Sequence, residues 1–253
     1  MNKIAIALSK GGVGKTTTAI NLGAGLARAG FSVLLVDVDT QGQASKALGS
    51  EPDSGLAELV LGEATFEQAA VEARPNLWLL AGGRGLAGLK RMITRQDFGG
   101  ENTLAEALQN LESRFDYLIL DTAPGWDALT VNVLFYADKV LSPVSLEVLT
   151  LQGLIEFARS LGSIQRYHSD LALRFVVPTF YDRRVKKSGE ILNQLHGRFG
   201  ELVCAPIRYS VRLSEAPGYG QTIFEYAPNS SGAEDYMKLT ERIMRDEQAQ
   251  ADS

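Results

Sequence analysis

The sequence predicts an α/β fold: a doubly wound, mostly parallel sheet in a single domain spanning residues 1–253. Three observations predict it. Short apolar runs rich in Val, Ile and Leu alternate with helical stretches along most of the chain, as in βα units whose sheet is covered on both faces. No linker, repeat or low-complexity tract divides the 253 residues. The composition, 45% hydrophobic and 22% charged, suits a sizeable core. It excludes a mostly disordered chain, a coiled coil and a small disulfide scaffold.

The elements follow in order. Ile4–Leu8 is the first expected strand, and its apolar part is too short for a signal peptide. Because the chain opens at this strand, no N-terminal DNA-reading module is expected. Lys15–Ala29 is an Ala- and Leu-rich helix with Gly30 as its stop. Phe31–Asp37, Asn76–Leu80, Tyr117–Asp121, Lys139–Val144 and Leu173–Pro178 are further strands. Thr103 to Glu106 has the spacing of a capping box and opens a helix to about Arg114. Helices are also expected over Thr150–Tyr167, Ser188–Phe199 and Ser231 to about Gln248. Gly82-Gly83-Arg84-Gly85 reads as a glycine-rich loop.

Charge and cysteine content narrow the function. The lone Cys204 cannot form an internal disulfide or supply a cysteine-rich metal site, and it fits a buried position in a reducing cytoplasm. The longest uncharged stretch, Thr16–Ala27, has 12 residues, against about 20 for a membrane-spanning helix. The net charge of −5 argues against wholesale nucleic-acid binding, yet Arg183 to Arg212 holds seven basic residues and two acids. A basic island on an acidic chain is a candidate anion-binding face.

The most specific segment is Ser9-Lys10-Gly11-Gly12-Val13-Gly14-Lys15-Thr16-Thr17, placed between a strand and a helix. This is the context of a P-loop. Glycines let backbone N–H groups curl around phosphate oxygens, and the helix N-terminus adds a favourable dipole. Lys15 neutralises phosphate charge, and the Thr16 hydroxyl can ligate Mg²⁺. The usual first glycine is replaced by Ser9, and a second lysine, Lys10, stands beside it. Asp37 and Asp39, two apart at a strand end, lie on one face.

KGGVGKTT resembles the deviant Walker A motif of the ParA/MinD family of ATPases. Asp37 to Gln43 resembles that family's D-x-D-P-Q-G motif, with Thr40 in place of the proline. Asp116 to Pro124 resembles its Walker B strand. Val211 to Pro217 resembles the R-x-S-E-A-P segment of the Soj-like ParA branch. The matches run from Lys3 to roughly Gly232 and imply a P-loop NTPase fold.

The resemblance implies ATP and Mg²⁺ as cofactors, with Lys10 to Thr17 cradling the phosphates. Thr16, Asp37 and Asp121 would serve the metal, and Asp39 would orient the attacking water. Lys10 would reach across an ATP-bound homodimer to the partner's nucleotide, with the logic of an arginine finger. Glu147 matches a position implied to touch the partner's nucleotide. Thr179 to Arg183 and Pro206 to Arg208 are implied for the base pocket, with Tyr181, Asp182, Pro206 and Arg208 as its contacts. Against guanine, no N-K-x-D-type element follows the Walker B segment. Trp126 departs from the family pattern and suits core packing, plain loop exposure or a dimer contact.

The implied function is a slow, partner-stimulated ATPase that binds duplex DNA non-specifically, in the cytoplasm and on the nucleoid. A ParB-like or other adaptor protein would trigger hydrolysis, and the cargo would be a plasmid, a chromosome or another body. Arg184, Lys186, Lys187, Arg208 and Arg212 are the candidate DNA contacts. A MinD-like membrane switch is the alternative, but it needs a basic amphipathic C-terminal helix, and Arg245 to Ser253 is polar and acid-containing. Metal-cluster relatives need several cysteines.

Overall fold

The computed structural model describes the backbone of residues 1–251. The end of the C-terminal tail, Asp252 and Ser253, lies outside the described residues. Seven strands form one sheet: β1 (Asn2–Ile6), β2 (Val33–Asp37), β3 (Ala70–Arg74), β4 (Leu77–Leu80), β5 (Tyr117–Asp121), β6 (Lys139–Ser145) and β7 (Ala172–Thr179). Their spatial order is β3-β4-β2-β5-β1-β6-β7. Every pairing is parallel except β3 with β4.

Side-chain alternation divides the core between the two faces of the sheet. Leu118 and Leu120 of β5 share one cluster with Leu89, Val133, Leu154 and Phe157. Tyr117 and Ile119 share the other with Leu22, Leu26, Tyr236 and Ile243. On that second face the helix Ser231–Ala251 packs against the helix Lys15–Arg28. Gly25 permits the approach, because a Cβ there would stand 2.2 Å from Thr240 Oγ1. The hydroxyls of Thr18 and Tyr236 meet at 3.1 Å beside it.

The six expected strands are present, Tyr117–Asp121 with the expected ends and the other five with shifted ones. The first stops at Ile6, since Ala7 and Leu8, although buried, already lead into the phosphate loop. β3 is an addition to the expected set. Its half-buried AVEAR sequence lacks the apolar signature because it is an edge strand with one neighbour. The capping box at Thr103 does not form. The turn Gly100–Asn102 makes Thr103 already helical, and its hydroxyl donates to the Gly100 carbonyl at 3.0 Å. That helix ends at Leu108 and continues only as a tight turn to Leu111. The helix Ala128–Tyr136 is also additional, since its sequence is apolar nearly all round and carries no helical periodicity.

Candidate nucleotide-binding site

β1 lies in the middle of the sheet, and its carboxyl end runs into the loop at Ser9 to Gly14. Doubly wound sheets bind ligands beyond such strand ends. Gly12 and Gly14 adopt left-handed conformations, with φ of 72° and 89°, where other residues are strained. Gly14 caps the helix Lys15–Arg28. The Thr179 hydroxyl at the end of β7 donates to the Val13 carbonyl at 3.0 Å, which ties the loop to the sheet. Gly11 lies against Pro124 of the loop after β5. Lys15 is buried and donates to the Lys10 carbonyl at 3.0 Å. Burial lowers its pKa, while Asp121 and Asp39 pull the other way. The Lys10 side chain, by contrast, is exposed at the rim.

Three carboxylates face this loop. Asp37 and Asp121 are register partners at the ends of β2 and β5, and neither is exposed to solvent. Asp37 accepts the backbone N–H groups of Asp39 and Ala44, both at 2.9 Å. Burial outweighs those bonds and pushes its pKa up to about 6. Neither oxygen of Asp121 has a hydrogen-bond partner. Burial, then the Asp37 charge, raises its pKa well above the usual carboxylate range. Asp39 accepts the Gln41 N–H at 2.9 Å on the wall of the cleft.

The glycine-rich loop after β4 supports these acids, a role that its sequence does not announce. A Cβ on Gly82 would stand 2.6 Å from the Asp39 carbonyl and 2.9 Å from Asp37 Cγ. Gly83 donates its N–H to the Asp39 carbonyl at 3.0 Å. Asp127 is a second unforeseen wall residue. Its carboxylate caps the helix Ala128–Tyr136 through the Thr130 N–H and accepts Lys90 Nζ, each at 2.9 Å.

The phosphate loop and Asp39 border a cleft of about 800 Å³, while Asp37 and Asp121 are buried and not on its wall. Gly12, Gly14, Lys15, Thr16, Thr17 and Asp39 line it there. Thr179 and Phe180, beside the loop, line it too, with Ile207, Arg208 and Tyr209. The residues expected at the base pocket divide between this cleft and its neighbour. Tyr181 and Asp182 line a neighbouring recess with Arg183 and Arg184, and Pro206 lines neither cavity. Phe180 has a φ of 56°, which interrupts the alternation of β7 and brings Phe180, instead of Tyr181, to the cleft. The Tyr181 backbone then pairs with Ile207 and Tyr209.

Glu147 sits exposed at the start of the helix Val148–Ile164, outside the cleft wall. The Trp126 ring packs 5.1 Å from that of Phe157 and remains 38% exposed.

The basic island is more neutral in space than along the chain. Acids from outside its window fold onto it. Asp182 holds Arg184 at 2.7 Å and Glu215 holds Arg212 at 3.0 Å. Arg208 is held by Asp235 and Glu234, both at 2.6 Å, so its guanidinium is committed within the chain and is not a free phosphate contact. Lys186 is 3.8 Å from Glu190, and Lys187 is exposed.

A family profile described as an AAA domain matches residues 1–173. The chromosome-partitioning ATPase Soj of Thermus thermophilus is 38% identical over 246 residues, covering 96% of each chain. The chain belongs to the ParA/Soj family of chromosome-partitioning ATPases. The chromosome partitioning protein ParA of Caulobacter vibrioides is 36% identical and covers 98% of the chain and 97% of its own length. The ParA/Soj fold here also matches the structure of cobyrinic acid a,c-diamide synthase from Mycobacterium smegmatis with bound ADP and magnesium. That match has 33% identity and a TM-score of 0.83, over 97% and 95% of the two chains. The cell division ATPase MinD of Pyrococcus furiosus shares the fold, at 24% identity and a TM-score of 0.79, over 96% and 98% of the two chains.

Among the described residues no three His, Cys, Asp or Glu side chains gather into a metal cage. A P-loop does not need one, because Mg²⁺ there is held by one or two carboxylates, water and substrate phosphates. The unpartnered, buried Asp121 fits that arrangement.

Proposed function

We propose that this ParA/Soj-type ATPase is an ATP-dependent dimerising switch that binds duplex DNA without sequence preference. It hydrolyses ATP to ADP and phosphate on contact with a ParB-like or other adaptor protein, and so partitions or positions a plasmid, a chromosome or another cargo. Its place is the cytoplasm, on the nucleoid. One observation carries the nucleotide part: the charges of Asp39 and Asp121 act on a buried lysine of the phosphate loop, and Asp121 is buried with no hydrogen-bond partner.

The residues divide the work. Backbone N–H groups of Gly11 to Thr17 and the Lys15 ammonium hold the phosphates. Thr16 and Asp121 would hold Mg²⁺, with Asp37 behind them, and the metal would neutralise charge on the transferring phosphoryl group. Asp39 would accept a hydrogen bond from the attacking water and so orient it. Lys10, exposed at the rim, reaches the nucleotide of a second copy, so dimerisation completes the site. Glu147 meets the same seam. Phe180 and Tyr209 flank the base. Arg212, Arg184, Lys186 and Lys187 meet DNA phosphates once their intramolecular carboxylates are displaced, and each contact adds to the salt dependence.

The membrane alternative is disfavoured by packing. The apolar stripe of the last helix, with Tyr236, Leu239 and Ile243, is buried in the core and so is not offered to lipid. No helix among the described residues is long and apolar enough to cross a membrane. Duplex DNA binding measured with ATP, with ADP and without nucleotide tests the reading. Binding confined to the ATP state, and steeply weakened by salt, is expected. Equal binding in all three states, or none, overturns it.

A further inference from the structure

Two segments that contribute to the cleft wall are joined by a contact remote from the phosphate loop. Arg74 ends β3 at the sheet edge and lines no part of the cleft. Its guanidinium reaches three separate segments. Nε donates to Glu225 Oε1 at 2.6 Å, Nη1 to the Leu48 carbonyl at 3.3 Å and Nη2 to the Gly220 carbonyl at 2.6 Å. A planar fork with fixed donors can do this, whereas a lysine ammonium offers one point charge.

Leu48 and Gly220 are the ends of two functional segments. Leu48 follows the short helix Gln43–Ala47, whose Ala44 N–H bonds the Asp37 carboxylate and whose Gln43 lines the cleft. Gly220 follows the turn Ala216–Tyr219, which continues the helix Val211–Glu215. That helix places Leu213 and Ser214 on the cleft wall and carries Arg212. Beneath the Arg74 fork the two backbones touch. Gly49 and Gly220 both have a φ of 64°, and a Cβ on Gly220 would stand 2.8 Å from Gly49 Cα. The third segment closes the circuit. Tyr226 donates its hydroxyl to Glu215 Oε2 at 3.0 Å, the oxygen that also holds Arg212. Its ring stacks on Tyr219 at 5.1 Å.

We propose that Arg74 is a positioning residue that clamps the Asp37–Gly49 segment to the Val211–Tyr226 segment, so that the nucleotide state sensed at Asp37 and Asp39 sets the position of Arg212. The roles of Arg212 as a DNA contact and of Asp37 and Asp39 at the nucleotide rest on the functional reading above. The mechanical coupling does not.

The full-length chain and its Arg74→Ala and Arg74→Lys variants test this, each with Mg²⁺ and either ADP or a non-hydrolysable ATP analogue. Hydrogen–deuterium exchange over residues 211–226 is the first readout. In the wild type the analogue slows exchange relative to ADP. In both variants the two nucleotide states exchange alike, while affinity for the analogue is unchanged. The second readout is the ratio of DNA affinities in the two states, which falls at least about fivefold, the lower end of ordinary allosteric coupling. Arg74→Lys keeps the charge and removes the fork, so it decides the matter if Arg74→Ala fails to fold. Wild-type nucleotide-dependent exchange in a folded variant overturns the proposal, as does a wild-type chain whose exchange ignores the nucleotide. If the wild type shows the exchange difference but binds no DNA, the DNA reading fails and the clamp stands.

Discussion

A carboxylate with no partner is costly in the ligand-free protein and useful once a cation arrives. Asp121 has a raised pKa in the fold, as does Asp37 at about 6. A raised acid binds its proton more tightly folded than unfolded. Its contribution to stability is therefore greatest at low pH and is lost as pH rises from the ordinary carboxylate range through the folded value. Asp121→Asn is expected to raise the melting temperature of the nucleotide-free protein at pH 8, with a gap over wild type that narrows toward pH 5. The same variant loses the extra stability that Mg²⁺ with ATP confers on the wild type. A lower melting temperature at pH 8 would contradict this account of the site. Lys15→Ala should abolish ATP binding, measured by calorimetry. Asp39→Ala should bind ATP, dimerise and stay on DNA, with turnover down about a hundredfold or more. Lys10→Ala should bind ATP as a monomer, fail to dimerise on sizing chromatography, and lose about a thousandfold in stimulated turnover. A Lys10→Ala protein that dimerises and hydrolyses normally would remove the in-trans role.

Elements explain which of these residues are legible in the sequence. The phosphate loop and the two acid-bearing strand ends can be read because each is a local pattern: strand, turn residues, helix. The glycine-rich loop after β4 is visible too, but its purpose is not. Nothing local in Gly82-Gly83 says that their backbones press on Asp37 and Asp39, since that contact needs β4 beside β2. The aromatic residue on the cleft wall differs by one position from the expected one for a similar reason. Phe180 takes a left-handed conformation that no sequence periodicity announces in a bulky residue. The sequence overstates the charge of the basic island because Asp182, Glu215, Glu234 and Asp235 lie outside its window along the chain and on it in space. Gly82→Ala tests the loop's role. Forcing a Cβ into that backbone should destabilise the protein by about 1–3 kcal/mol by thermal unfolding. It should also depress turnover more than ATP affinity, because it displaces Asp39 and spares the phosphate loop.

At the scale of the whole molecule, an acidic chain must concentrate its few available cations to hold DNA. The net charge is −5, and most cations of the island are paired within the chain. On the proposed function, a monomer should therefore bind duplex weakly, while two copies on one duplex would gain by effective concentration. Arg212→Glu is expected to keep ATP-dependent dimerisation and lose DNA binding. Milder neutralisation, as in Lys187→Ala, should lower the log–log salt slope by about 1 for the phosphate that the side chain no longer meets. Wild-type binding and salt slope in Arg212→Glu would reduce the island to a solvated face.

The pairing of the helix Ser231–Ala251 with the helix Lys15–Arg28, closed at Gly25 and Thr240, bears on how the protein is made. The helix that carries Lys15 leaves the ribosome early, whereas its cover is translated after all seven strands. Until then Leu22 and Leu26 have no lid, and Tyr236, which lines the cleft, is not yet in place. A nascent chain stalled before Ser231 is expected to carry a complete phosphate loop and still fail to retain ATP. Competence would be acquired only once the helix Ser231–Ala251 has been made, which would keep chains lacking it out of an ATP-dependent pairing.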